Sequence, residues 1–276
     1  MTLRQTLKAA GTRLSADPHL HATASRDAEL LLLHTLELSR ATLLAYPERE
    51  ITDKQQSAYE QSILRRLQHE PVQYITGQQE FYGLPLHVTR DVLIPRPETE
   101  HLVEAVLHRL PPGEPLQIAD IGTGSGAIAI ALAIHLPRAI ITALDLSLPA
   151  LAVAQSNAVA HKVDRQIRFV HSDLLDNLDL STGREHADDR DAGESAAFDA
   201  IVSNPPYISA TECDTLHPQV RNHEPHAALF AGASGLEIYE RLVPQAWHAL
   251  KPHGLLALEI GHGQQQALAR LLSDWE

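Results

Sequence analysis

ADIGTGSGAIAIALA (Ala119–Ala133) changes character twice along its length. Ala119-Asp120-Ile121 closes the apolar run LQIADI, which reads as a strand buried on both faces. Gly122, Gly124 and Gly126 follow at every second position, and AIAIALA then opens a helix. Glycine removes the Cβ where a ligand approaches backbone N–H groups at a helix N-terminus. With Ala127, the run also fits the loose G-x-G-x-x-A dinucleotide pattern. By itself it fits a tight turn with no ligand as well.

Outward from this stretch the pattern repeats. AIITALD, QIRFV, FDAIVSN and GLLALEI read as further strands, with helices around 125–136, 148–160 and 235–250. Continuous apolar strands alternating with helices predict an α/β fold with a mainly parallel sheet covered on both faces, joined by right-handed crossovers. STGREHADDRDAGESAA, from Ser181 to Ala197, is polar and acidic and is expected to be a mobile surface loop.

Upstream the chain reads as helices. Leu3, Leu7 and Leu14 share one face; Ala28, Leu31, Leu32 and Leu36 share another, with Ser25 expected as N-cap. Thr52 and Gln55 form a capping box ahead of Tyr59, Ile63 and Leu67, and Glu70-Pro71 ends that helix. We read residues 1–75 as a small helical bundle and 76–95 as a β-hairpin linker punctuated by Gly77, Gly83 and Pro85. Residues 96–276 form the α/β domain, opened by a helix with Pro97 at its first position.

The chain has 276 residues, 44% hydrophobic and 21% charged, as in a globular protein. No apolar run reaches the length of a membrane span, and the start MTLRQTLKAAGTRLSADP lacks the apolar core of a secretory signal. A lone cysteine, Cys213, forms no internal disulfide and is no metal site, so we expect a cytoplasmic protein with no metal. The net charge of −13 argues against duplex nucleic acid as a partner, because phosphate contacts demand Lys and Arg. The 17 histidines are scattered, without paired ligand spacing.

The acids sharpen the reading of the glycine loop. Asp145 ends the second strand about 20 residues on, where a carboxylate accepts hydrogen bonds from both ribose hydroxyls of a nucleoside. That suits NAD and S-adenosylmethionine alike. Asp120, just before the glycines, would repel a pyrophosphate and suits the ammonium and sulfonium of S-adenosylmethionine. His171-Ser172-Asp173 leaves the third strand, so Asp173 is placed to accept from an adenine amino group, with Leu174 packed on the ring. All these acids fall at carboxyl ends of strands, where open α/β sheets bind ligands.

SNPPYI (Ser203–Ile208) ends the fourth strand at the same edge. Two prolines make a rigid corner. A planar –NH2 group attacks poorly because its lone pair is delocalised. Two acceptors that take hydrogen bonds from its N–H groups fix it: the Asn204 side-chain oxygen and the Pro205 carbonyl. Tyr207 offers a flat face to the planar group. No strong base is needed; alignment of the nitrogen with a methyl–sulfur bond is the main catalytic effect.

PVQYITGQQEFYGLPLHV, VLIPRPETE, DIGTGSGAIAIALA, SNPPYI, VRNHEPHAALFAGASGLEIY and LALEIGHGQ together resemble the HemK/PrmC family. The resemblance runs from about residue 70 to about 265, and the helical N-terminus fits the family's first domain. It implies a class I S-adenosylmethionine-dependent methyltransferase, Rossmann-like, with S-adenosyl-L-homocysteine as product. Members methylate the glutamine side-chain amide in the Gly-Gly-Gln loop of class 1 peptide chain release factors, in translation termination. Cofactor contacts are implied at Gly122, Thr123, Gly124, Ser125, Gly126, Asp145, Asp173, Leu174 and Asn204. Pro205, Pro206 and Tyr207 would frame the glutamine amide together with Asn204. Arg96, Pro97, Glu98 and Thr99 are expected near the methionine end, and Glu224-Pro225 in the substrate-side wall. The bundle would dock the release factor, and a monomer is expected, without membrane or direct nucleic-acid partners.

One departure stands out. The family continues past its last helix with a β-hairpin, whereas this sequence stops at LLSDWE and shows five major strands of seven. Loss of that pair would expose a sheet edge and lower stability. Two other readings stay open: an adenine-N6 nucleic-acid methyltransferase, and a truncated homologue that binds without turnover.

Overall fold

Five parallel strands form the central sheet, in the order β5-β4-β3-β6-β9. They are β3 (Gln117–Ile121), β4 (Ile140–Asp145), β5 (Ile167–His171), β6 (Phe198–Ser203) and β9 (Leu250–Leu258), while β7 (Ile208–Ser209) and β8 (Phe230–Gly232) form a separate short pair. The computed structural model describes residues 1–178 and 197–275; nearly all of the acidic segment expected as a loop lies outside them. Strand order reverses at β3, with β4 and β5 on one side and β6 and β9 on the other. A crevice therefore opens at the carboxyl ends between β3 and its two neighbours.

Helices α6 (Pro97–Arg109), α7 (Ala127–His135), α8 (Leu148–Ala160), α10 (Glu237–Ala249) and α11 (Gln265–Ser273) accompany the sheet. Helix α7 is apolar all round and buried from Ala127 to Ala133, as a helix between two packed layers must be. Two apolar clusters follow from the pleat of β3. Ile118 joins α6 and α7 in one cluster. Ala119 and Ile121 join Leu242 and Ala246 of α10 in the other. Helix α6 begins at Pro97, with Glu98 and Glu100 in its first turn, the arrangement that a helix dipole favours.

The chain divides into two units: 1–78 with 215–224, and 79–214 with 225–276. The first holds α1 (Leu3–Ser15), α2 (Ala24–Leu36), α3 (Arg40–Ala45), α4 (Asp53–Leu67) and α5 (Val72–Thr76), plus the short α9 (Pro218–His223). Capping boxes start α1 at Thr2/Gln5 and α4 at Thr52/Gln55. Helix α2 starts at Ala24 with Thr23 as N-cap, not at Ser25. The Thr23 hydroxyl is drawn instead to Asp27 Oδ2, 2.8 Å away, and the same oxygen takes Arg66 Nε at 2.8 Å. Arg66 and Asp27 are both buried, a charge pair inside the bundle.

The hairpin β1 (Gln78–Phe81) and β2 (Leu84–His87) is not a free connector. Phe81 and Leu86 are buried in the cluster of the second unit. The His87 N–H donates to Asn157 Oδ1 at 2.8 Å, and Asn157 Nδ2 donates back to the His87 carbonyl at 2.9 Å. These bonds fasten the hairpin to α8, and residues 79–95 belong to the second compact unit. Among the described residues no helix is long and apolar enough to cross a membrane.

Candidate active site

A cavity of about 370 Å³ lies at the switch point, within the roughly 300–1,000 Å³ range of small-molecule sites. Gly122 and Gly124 line it beside Asp145, Asp173 and Leu174, with Asn204, Pro205 and Pro206 opposite in the sequence of strands. Asp91, Val92 and Leu93, from the segment before α6, and Pro225, Ala227 and Ala228 complete its wall. Glu224 and Pro225 part company: Glu224 is buried in the first unit, while Pro225 lines the cavity.

The glycine loop works differently from an anion-binding turn. The Gly122 and Thr123 N–H groups both donate to the Leu144 carbonyl, at 2.8 and 2.9 Å. The Gly126 N–H donates to the Thr123 carbonyl at 2.8 Å, and the Gly124 N–H to Asp145 Oδ2 at 2.9 Å. The loop thus spends these donors on itself, and a pyrophosphate finds none of them free. Gly122 adopts φ +71°, and a methyl added there would stand in open space. Gly126 adopts φ +82°, and a methyl there would sit 3.1 Å from Ile130 Cδ1 and 3.2 Å from Ala154 Cβ. So Gly126 serves the packing of α7 on α8. Thr123, Ser125 and Gly126 do not line the cavity. The Thr123 hydroxyl is turned to Asp120, and the Ser125 carbonyl accepts from Asn157 Nδ2 at 2.9 Å.

Asp120 is not a cavity wall either. The side chain is fully buried on the α7 side, where Oδ2 accepts from Thr123 Oγ1 at 2.7 Å and Ala129 N at 3.1 Å. Oδ1 is left without a partner. Burial pushes this carboxyl up to about 7, against the pull of those two donors. Asp145 is raised as well, first by burial, with the N–H groups of Ser147 and Gly124 holding it down. Its Oδ1 accepts from Ser147 N at 2.8 Å. Each carboxylate oxygen keeps a further lone pair, so the side chain retains capacity for a pair of hydroxyls. Asp173 pairs through Oδ2 with Arg241 Nη2 at 2.7 Å. Adjacent Leu174 holds φ +50°, the left-handed region.

The Asn-Pro-Pro-Tyr corner is braced from several sides. Ser203, fully buried, donates its hydroxyl to the Ile121 carbonyl at 2.7 Å, tying β6 to the start of the glycine loop. Asn204 Nδ2 donates to Thr99 Oγ1 at 3.0 Å. The Tyr207 carbonyl accepts from Gln264 Nε2 at 3.0 Å, which also donates to the Gly235 carbonyl at 3.1 Å. A Cβ on Gly235 would lie 2.5 Å from the Tyr207 carbonyl oxygen, and one on Gly261 would lie 3.0 Å from Tyr207 Cδ2. Both glycines are there to let the corner's neighbours approach. Tyr207 itself is absent from the cavity lining. Burial raises its hydroxyl, and nearby Glu259 adds to the shift.

Two family models match the chain: the PrmC N-terminal domain over residues 5–77 and the methyltransferase small domain over 99–221. The release factor glutamine methyltransferase of Koribacter versatilis is 44% identical over all of this chain and 92% of its own length. The chain belongs to the release factor glutamine methyltransferase family. Relatives of the same name from Moorella thermoacetica and Coxiella burnetii are 44% and 42% identical. They match over 98% and 95% of this chain, and 89% and 85% of their own. The solved hMettl16 catalytic domain, in complex with MAT2A 3'UTR hairpin 6, is 17% identical with a TM-score of 0.51, covering 82% of this chain and 74% of its own. That likeness concerns the fold, a class I methyltransferase.

Within the family frame, four residues escape the sequence reading: Asn157, Glu259, Gln264 and Thr99 as the partner of Asn204. Glu259 directly follows β9, and its N–H donates to the Ser203 carbonyl at 3.0 Å, which seats it beside Asn204 at the sheet edge. Burial raises its carboxyl, with Glu98 adding to the rise, while Thr99, Tyr207 and Asn204 hold it down. Its Oε2 is shut off from solvent without a hydrogen-bond partner. The signal for Glu259 was its place at a strand's carboxyl end. Among the described residues no cluster of His, Cys, Asp or Glu is arranged to hold a metal.

Proposed function

We propose that this chain transfers a methyl group from S-adenosyl-L-methionine to the side-chain amide nitrogen of the glutamine in the Gly-Gly-Gln loop of class 1 release factors. One observation carries the reading. Asn204 and Pro205 line the same cavity as Asp145, with the Asn204 amino end already occupied by Thr99. The amide oxygen is then the end left to accept from a planar –NH2.

The residues present fit the cofactor. A half-satisfied, partly buried Asp145 suits two ribose hydroxyls, and a loop whose Gly122, Thr123, Gly124 and Gly126 N–H groups are already engaged suits a ligand lacking phosphate. Gly122 leaves room for a ligand to lie against backbone. When bound, the cofactor supplies a methyl carbon made electrophilic by its sulfonium. Asp145 would hold its nucleoside end, with Asp173 and Leu174 at the adenine. Asn204 Oδ1 and the Pro205 carbonyl take the two N–H groups of the glutamine amide and turn its lone pair along the line of transfer. As the N–C bond forms, the methyl–sulfur bond would break with its electron pair left on the departing thioether, the nitrogen becomes acidic, and its proton leaves through one of these acceptors to water. Pro205 and Pro206 keep both acceptors from moving, so alignment supplies most of the rate. Pro206 and Tyr207 shape the glutamine side, and the helical unit 1–78 contributes the surface that receives the release factor.

The test uses S-adenosylmethionine with a labelled methyl group, a release factor, the same factor with its loop glutamine replaced, and duplex DNA. Label on the intact factor alone is expected. Label on DNA, or equal label on the glutamine-less factor, overturns the proposal.

A further inference from the structure

An asparagine amide has two ends of nearly equal shape and opposite hydrogen-bonding sense. If Asn204 turned its NH2 toward the cavity, donors would face the donors of the substrate –NH2. Something must hold the oxygen end outward. Thr99 Oγ1, 3.0 Å from Asn204 Nδ2, touches the other end. A hydroxyl, though, donates or accepts equally well, so Thr99 alone leaves the amide undecided.

We propose that Glu259 is the positioning residue that decides it, facing both the Thr99 hydroxyl and the Asn204 side chain. The inference rests on the reading of Asn204 given under Proposed function. Glu259 and Asn204 are the first residues beyond two paired parallel strands, with Ser203 opposite Leu258 in the register. Thr99, Tyr207 and Asn204 all face the Glu259 carboxyl. Tyr239 donates its hydroxyl to the Glu259 carbonyl at 2.8 Å, which anchors the residue from behind.

An ionised carboxylate only accepts. Facing it, the Thr99 hydroxyl must donate. The Thr99 oxygen then presents lone pairs to Asn204, and only the NH2 end can meet them. Thr99 is buried, with 4% of its surface exposed, so water does not supply an alternative partner. A single hydrogen bond of difference between the two amide orientations biases them about tenfold, and a charge-assisted one more. Glu259 thereby sets the direction of a relay: carboxylate, hydroxyl, amide, cavity.

The experiment compares the full chain with Glu259→Gln, Thr99→Val and Thr99→Ser at pH 8. Gln keeps the shape of Glu but brings its own NH2, so the relay can run either way. Val keeps the shape of Thr without a hydroxyl, and Ser keeps the hydroxyl. Methylation of a release factor should lose tenfold or more in kcat for Glu259→Gln and Thr99→Val. KM for the factor and Kd for S-adenosylmethionine should stay within about threefold. Thr99→Ser should recover most of what Thr99→Val loses. NMR reads the amide without turnover. In cofactor-bound wild type the Asn204 side-chain NH2 protons should show NOEs to the Thr99 side chain, weakened or lost in Glu259→Gln. An unchanged kcat in Glu259→Gln, a Ser variant as poor as Val, or NOEs that survive the substitution overturns the relay. A wild type that labels no factor but shows the NOEs and their loss keeps the relay and defeats the substrate assignment.

Discussion

Gly122 and Gly126 belong to one motif, yet replacing each by alanine should give opposite phenotypes. Both hold positive φ, +71° and +82°, and any L-residue there costs about 1–2 kcal/mol. At Gly126 the new methyl also sits 3.1 Å from Ile130 Cδ1, 3.2 Å from Ala154 Cβ and 3.3 Å from Ala154 Cα. Ordinary carbon contacts lie near 3.5–4.0 Å, and the crowded atoms include the backbone of α8, which gives little. Overpacking of this kind adds roughly 1–3 kcal/mol. Gly126→Ala should therefore lose about 2–5 kcal/mol in all. Gly122→Ala meets nothing within 4 Å, so its stability cost stays at about 1–2 kcal/mol. Its methyl instead enters the ligand's space, worth roughly 5- to 150-fold in Kd if the same 1–3 kcal/mol of crowding falls on the complex. Urea titration of the apo proteins gives the first quantity, and calorimetry with S-adenosylmethionine gives the second. A Gly126→Ala protein as stable as wild type refutes the packing role. A Gly122→Ala protein with wild-type Kd refutes the close approach of ligand to the loop.

Asp120 predicts a pH effect on stability. Its folded pKa near 7 lies above the ordinary 3.8 of the unfolded chain, so the folded state holds the proton more tightly. Its favourable contribution is fully present below about pH 4 and is lost as pH rises through about 7, a span worth about 4 kcal/mol at ~1.4 kcal/mol per unit. Asp120→Asn should flatten this part of the stability–pH curve in chemical denaturation; an unchanged slope between pH 4 and 7 argues against the buried acid. Asn157→Ala removes three hydrogen bonds, two to His87 and one to Ser125. At about 0.5–1.5 kcal/mol each the loss is roughly 2–4 kcal/mol, and faster amide exchange at His87 should locate it in the hairpin. Asp27→Ala strands the buried Arg66 guanidinium and should cost about 3–5 kcal/mol, read as early melting of the helical unit; a loss under about 1 kcal/mol counts against that pairing.

Much of this was legible because burial on both faces leaves long apolar runs, and the runs LQIADI, AIITALD and FDAIVSN are three neighbouring strands of the sheet. Alternation within a strand decides where Asp120 points. Ile121 lines the cavity, so Asp120, one residue earlier, points to the opposite face and into α7. Nearness in sequence to the glycines had suggested a ligand; the period of two excludes it. Thr23 rather than Ser25 stands at the N-cap of α2, and its hydroxyl goes to Asp27, whose buried carboxylate is held by the distant Arg66; that tertiary partner is invisible to a local rule. Likewise nothing in residues 215–224 announces that they join the first unit. Glu259 is the instructive omission. Asp145 and Asn204 were found by asking what stands at the carboxyl end of each strand. Put to GLLALEI, the same question returns Glu259, whose N–H is bonded to the residue before Asn204. Thr99, Tyr207 and Asn204 all face its carboxyl, and a carboxylate can only accept from them. The orientation proposed for Asn204 thus depends on a strand whose end lies about 55 residues further along the chain.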